Sequence, residues 1–293
     1  MGIKILFYCL LYPLSLLPLW LLNIIFYPFY LLITYVIPYR KDVTLTNVRL
    51  SFPKLNEAER LKLYKQFQRH LIQLGVEMLK MLTISKKSLL KRYRCVNPEL
   101  ISQFYKQGRS VILVSGHYNN WEWMVLALDM LFEHHGVGVG KPNTDKNFEK
   151  LINRARTRYG TEVVFQDRIR ERFEYYETHQ IPAAYMMLSD QSPNDLKKAY
   201  YTQFLNQESA MIYGPEYFAK KYNIPVVYYQ VNQVKRGYYE VELTLITEEP
   251  HSVPYGGIIE QYVTLLEETV CMSPPQWLWS HKRWKNRKNR VIN

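Results

Sequence analysis

The chain has 293 residues, 47% of them apolar, and a formal net charge of +12. That length holds one sizeable catalytic domain plus an anchor and falls short of two large domains, and the apolar share excludes wholesale disorder. The positive excess points to an anionic partner: nucleic acid, an acidic bilayer, a phosphorylated substrate or an acidic carrier protein.

Residues 5–39 contain no charged side chain and are dominated by Leu, Ile, Phe, Tyr and Trp. A bilayer core of about 30 Å needs only about 20 helical residues. Pro13, Pro18, Pro28 and Pro38 argue against one straight helix, leaving a kinked span or a broken in-and-out hairpin. The run is too long for a cleaved signal peptide, and no small-residue cleavage site follows it. Arg40 and Lys41 come next, and positive charge is retained on the cytoplasmic side. The expectation is an anchor over 1–40 and a catalytic domain over 41–293, lying against the inner face.

Asn56 and Glu59 form a capping-box pattern that opens a helix. Leu61, Tyr64, Phe67, Leu71, Leu74, Met78 and Met81 then place apolar side chains on one face, with Lys62, Lys65, Arg69 and Lys80 opposite. The β-branched run 110–115 predicts a buried strand, broken by Gly116, and Asn120 caps a helix that starts at Trp121. Further strands are expected at 136–140, 161–165, 182–188, 201–205 and 225–231, separated by helical patterns at 147–159, 168–178 and 215–222. A returning antiparallel strand over 238–247 and a helix over 258–272 close the domain. This alternation predicts an α/β fold with a mostly parallel central sheet flanked by helices.

The chemistry centres on His117-Tyr118-Asn119-Asn120-Trp121-Glu122, where a strand turns into a helix. That switch is a favoured site position in α/β folds. A loop folding His117 back toward the helix start, whose first turn holds Glu122, brings that carboxylate within reach of one imidazole nitrogen. The other nitrogen is then free to accept a proton. Asp190 follows an apolar strand, which puts it near the site to orient an arginine or bind an acceptor. His135 and Pro142 break the phosphate-loop pattern around Gly140-Lys141. Cys9, Cys95 and Cys271 have neither metal-ligand nor disulfide spacing, so no metal or other cofactor is implied. The basic run from His281 to Arg290 and its aromatics suit nucleic acid; beside an apolar anchor, contact with a membrane or a carrier protein is the better reading.

These residues resemble the lipid A late acyltransferase family (lauroyl and myristoyl transferases), often grouped with lysophospholipid acyltransferases, whose members carry His-x4-Asp/Glu after a buried strand. The resemblance runs through Asn47 to Pro53, the box at 117–122, Lys141-Pro142-Asn143, Asn153 to Arg156, Ser189-Asp190-Gln191, Tyr213-Gly214-Pro215 and Gln276 to Lys285. It implies transfer of a fatty acyl chain from a thioester, usually acyl carrier protein, to a hydroxyl of a glycolipid precursor at the bacterial inner membrane. His117 would take the hydroxyl proton and Glu122 would orient it. The family's downstream arginine matches Arg156 best, with Arg154 and Arg158 close by, and a fork there suits a phosphate or the thioester oxyanion. Arg283 would approach an acceptor phosphate. Other acceptors (a lysophospholipid or an amino-acyl lipid) and a membrane-tethered nucleic-acid binder are the rival readings.

Overall fold

The computed structural model describes residues 6–142 and 145–285; Asn143 and the tail from Asn286 lie outside the described residues. At the N-terminus, helical turns over Phe7–Leu16 end where Leu17 and Pro18 adopt extended backbone. Proline disfavours the helical region for the residue before it, so the break follows from sequence. Helix α1 (Leu19–Leu31) then runs on into a wider turn over Leu32–Val36. Leu19–Val36 is long and apolar enough to cross a membrane, with a mean hydropathy of 1.8 and only 17% of it buried.

Helix α2 (Lys41–Ser51) leads into α3 (Glu57–Met81), which opens with the expected capping box between Asn56 and Glu59. The single apolar face expected of α3 is incomplete. Tyr64, Phe67, Leu74 and Met81 are buried as expected, but so are Gln68, His70, Gln73 and Glu77. The reason is that α3 is covered on a second side. Leu19 and Leu22 of α1 join Val76 and Leu79 in one apolar cluster, each buried leucine contributing about 2 kcal/mol. Lys80, expected to face solvent, turns to the chain break and donates to the carbonyls of Ser15 (2.9 Å) and Leu17 (3.0 Å). It thereby satisfies acceptors that the interrupted helix leaves open.

Short elements missed by periodicity follow: α4 (Lys86–Arg92), β1 (Tyr93–Cys95) and α5 (Glu99–Lys106). Then come β2 (Val111–Ser115), α6 (Trp121–Leu131), β3 (His135–Gly140), α7 (Lys146–Arg156), β4 (Glu162–Phe165), α8 (Ile169–Thr178) and β5 (Ala183–Leu188). After β6 (Ala199–Phe204) and β7 (Gln207–Ile212), the chain adds α9 (Gly214–Tyr222), β8 (Val226–Lys235), β9 (Tyr238–Thr247) and α10 (Gly257–Met272). The seven-stranded sheet has the order β1-β9-β8-β2-β5-β3-β4, and only the β8–β9 pair is antiparallel. The mostly parallel α/β fold is as expected. One strand is placed differently: 199–204 is not part of that sheet but pairs with β7 in a separate hairpin. Leu205 and Asn206, both at positive φ, make its two-residue turn.

The strand order fixes where a site can form. From central β2 the chain crosses to β3, returns through β5 beside β2, and later places β8 on the other flank. Crevices at such a reversal lie beyond the carboxyl ends of the strands.

Candidate active site

Ser115 at the end of β2 is in register with Leu188 at the end of β5. Two residues beyond each lie His117 and Asp190, so parallel pairing delivers them side by side. Imidazole Nδ1 lies 2.6 Å from Asp190 Oδ1, and the His117 backbone N–H donates to Oδ2 at 2.9 Å. The indole N–H of Trp277 also donates to Oδ2, at 2.8 Å. Burial works against the charged form of Asp190, yet the facing imidazole, that backbone N–H and the indole together hold its carboxyl below the ordinary carboxylate range. An ionised Asp190 fixes the proton on Nδ1 and leaves the lone pair on Nε2. The Gln191 amide nitrogen sits 3.2 Å from Nε2. His117 keeps 19% of its side chain exposed, whereas Asp190 keeps 2%.

Gly116 permits this close approach. A Cβ there would lie 2.8 Å from Leu266 Cδ1 and 3.1 Å from Asp190 Cγ and Oδ2. Asn119 takes a left-handed conformation, φ 49°, which asparagine tolerates. Asn120 caps α6 by accepting the Trp123 N–H at 2.9 Å, as expected.

Glu122 stands in the first turn of α6, but its carboxylate is engaged away from the imidazole. Arg156, at the end of α7, donates to it twice: Nη2 to Oε1 at 2.6 Å and Nε to Oε2 at 2.8 Å. Arg156 Nη1 also donates to Asn153 Oδ1 at 3.2 Å. The carboxylate that orients His117 is therefore Asp190, and the expected His117–Glu122 contact is replaced by two separate pairs. The physical reason lies in the topology: β5 inserts next to β2 and brings Asp190 to Nδ1, while α7 packs along α6.

Arg158 and Arg283 are each engaged in contacts of their own, neither with His117 nor with Glu122. Arg158 donates to the carbonyls of Leu82 and Ile84, sealing the end of α3. Arg283 is 2% exposed; it donates to the Ala210 carbonyl at 2.8 Å and reaches Met211 Sδ at 2.7 Å. Burial pulls its guanidinium down to about 10, opposed by the charge of Asp190. It is a buried cation within electrostatic reach of Asp190 rather than a group reaching outward.

Two features escaped sequence reasoning. The carboxyl-terminal segment straps the loop at 117–120: Asn119 N–H donates to Gln276 O, and Leu278 N–H to His117 O, both at 3.0 Å. Gln276 Oε1 accepts from Tyr118 Oη and from Asn119 Nδ2, each at 2.9 Å. Nothing in the local sequence announces that strap. The second is Glu77, buried on α3, which accepts from Asn120 Nδ2 (2.6 Å), Tyr239 Oη (2.7 Å) and Gln73 Nε2 (2.9 Å). Burial lifts its carboxyl to about 7. The spacing Leu74, Glu77, Met81 is a visible signal, because it sets a carboxylate inside an apolar stripe.

Among curated proteins, none matches the chain at a significant level. One family model, that of the bacterial lipid A biosynthesis acyltransferases, matches residues 2–286, nearly the whole chain. The chain belongs to the bacterial lipid A biosynthesis acyltransferase family.

Proposed function

We propose that the protein transfers a fatty acyl chain from a thioester, with acyl carrier protein as donor, to a hydroxyl of a lipid A precursor. His117 acts as general base. The acceptor hydroxyl displaces Gln191 from Nε2 and gives up its proton there as its oxygen attacks the thioester carbonyl. The C–S bond breaks, and the leaving thiolate takes the proton back from the imidazolium. Asp190 stabilises the imidazolium and holds the tautomer. Glu122 and Arg156 work as a pair that sets the first turn of α6, with Arg156 the nearer candidate for a phosphate or oxyanion. Residues 1–40 serve as an inner-membrane anchor, with 41–293 on the cytoplasmic face where Arg40 and Lys41 remain.

The observation carrying this reading is the 2.6 Å contact between His117 Nδ1 and Asp190, with Nε2 facing the Gln191 amide at 3.2 Å. The test is acyl transfer by purified, folded His117→Ala, expected to fall by at least about 100-fold; turnover near that of the unmodified enzyme removes the base. Mass spectrometry of total lipid from cells with and without the gene identifies the acceptor. A lipid A species lighter by one acyl chain supports the reading, and a change confined to phospholipids transfers it to a lysophospholipid acceptor.

A further inference from the structure

A cavity of about 640 Å³ lies between the start of α1 and the β8–β9 turn. Lys80, Arg92 and Arg236 converge on it, against Glu77 as the one carboxyl in its lining. Both oxygens of Glu77 are already occupied by Gln73, Asn120 and Tyr239. None of the three cations forms a salt bridge with a carboxylate among the described residues. Lys80 donates hydrogen bonds to the carbonyls of the helix break, which carry no formal charge to neutralise its own. Arg92 lies over the Tyr238 ring at 4.5 Å and donates to Gly237 O at 3.3 Å. Arg236 is exposed and has no hydrogen-bond partner among the described residues.

A second depression of about 360 Å³ continues along α1, sharing Trp20, Asn23 and Arg236 and adding Ile24 and Tyr27. Trp20 and Ile24 are 65% and 61% exposed and lie on the apolar segment. A cationic chamber thus opens onto an apolar, aromatic track. Free phosphate would use only the first half of it; an amphiphile uses both.

We infer that this cavity binds the phosphate of a membrane lipid, with Arg92 and Arg236 as its forks and the lipid tail laid along Trp20 and Ile24. Such a site holds α1 against the catalytic domain from the lipid side. It does not depend on the chemistry proposed at His117, because binding is measured without turnover.

The test is titration of the full chain in a neutral detergent with dioctanoyl phosphatidylglycerol, dioctanoylglycerol and inorganic phosphate. Phosphatidylglycerol is expected to bind, and Arg92→Gln/Arg236→Gln to weaken it at least about tenfold. Dioctanoylglycerol is expected to bind weakly, and inorganic phosphate is expected not to displace the lipid. Arg236→Gln alone removes no side-chain hydrogen bond or salt bridge among the described residues, so it serves if the double variant does not fold, with a loss of about threefold or more expected. Equal binding of phosphatidylglycerol by the variants and the unmodified chain overturns the site. Equal binding of dioctanoylglycerol reduces it to an apolar groove, and displacement by inorganic phosphate reduces it to a free-anion site; either result rejects the inference.

Discussion

Glu122 shares both carboxylate oxygens with Arg156, at 2.6 and 2.8 Å, although it stands only five residues beyond His117. Both side chains are mostly covered, 7% and 20% exposed. Removing one partner leaves the other charge poorly solvated, at a cost of about 3 kcal/mol. Glu122→Gln and Arg156→Gln are each expected to lower stability by about that amount, with the double variant recovering at least about 1 kcal/mol of the summed loss. Denaturation in mild detergent measures the cycle. Strict additivity would show that the pair is not coupled.

Asp190 has a different signature. Asp190→Asn keeps the shape but supplies no charge for the imidazolium, so kcat is expected to fall by about 100- to 10,000-fold. Activity separates the two carboxylates: folded Glu122→Gln, whose partner is Arg156 and not His117, is expected to lose far less kcat than Asp190→Asn. Because the Asp190 carboxyl is held low in the fold, its stabilisation is present above the unfolded value of about 3.9 and is lost as pH falls below it. Acid titration of Asp190→Asn is expected to lack that part of the loss.

Glu77 works in the opposite direction. Its carboxyl is raised to about 7 by burial, so it stabilises most below the unfolded value of about 4.5. That contribution is lost as pH rises through 7, to a total of about 3 kcal/mol. Glu77→Gln is expected to gain stability relative to the unmodified chain between pH 4.5 and 7.5. Parallel curves over that window would refute a neutral buried Glu77. Glu77→Ala, which leaves Asn120 and Tyr239 without their acceptor, is expected to destabilise at every pH.

Gly116→Ala would force a methyl against Leu266 and the Asp190 carboxylate, at 2.8 and 3.1 Å. An activity loss of about 10- to 100-fold with modest change in KM is expected, since a small displacement of an orienting group is enough. Adding Leu266→Ala relieves one contact but not the other, so rescue should be partial at most. Full recovery would place the strain at Leu266 alone.

Much of this architecture was legible in the sequence. The strand–helix alternation, the Asn56–Glu59 box, the Asn120 cap and the β8–β9 return are written in local patterns of period and turn chemistry. The partner of His117 is not written locally. It depends on β5 inserting beside β2, a long-range pairing that brings residues 73 positions apart into contact. Proximity in sequence favoured Glu122, and topology supplied Asp190. Arg283 misled for the same reason: a basic residue in a basic tail resembles a surface group until the hairpin of β6 and β7 closes over it.

The amino-terminal segment carries a practical consequence. Leu19 and Leu22 complete the apolar cluster with Val76 and Leu79, and Lys80 fastens the broken turn above them. The segment is thus a wall of the house as well as the mooring rope proposed for it. A truncated chain beginning at residue 41, made to obtain a freely soluble enzyme, would tear open the interior along α3 and expose the floor beneath Glu77. Preparations of the folded chain are expected to need Leu19–Leu31 in place, with its exposed apolar side chains shielded by detergent.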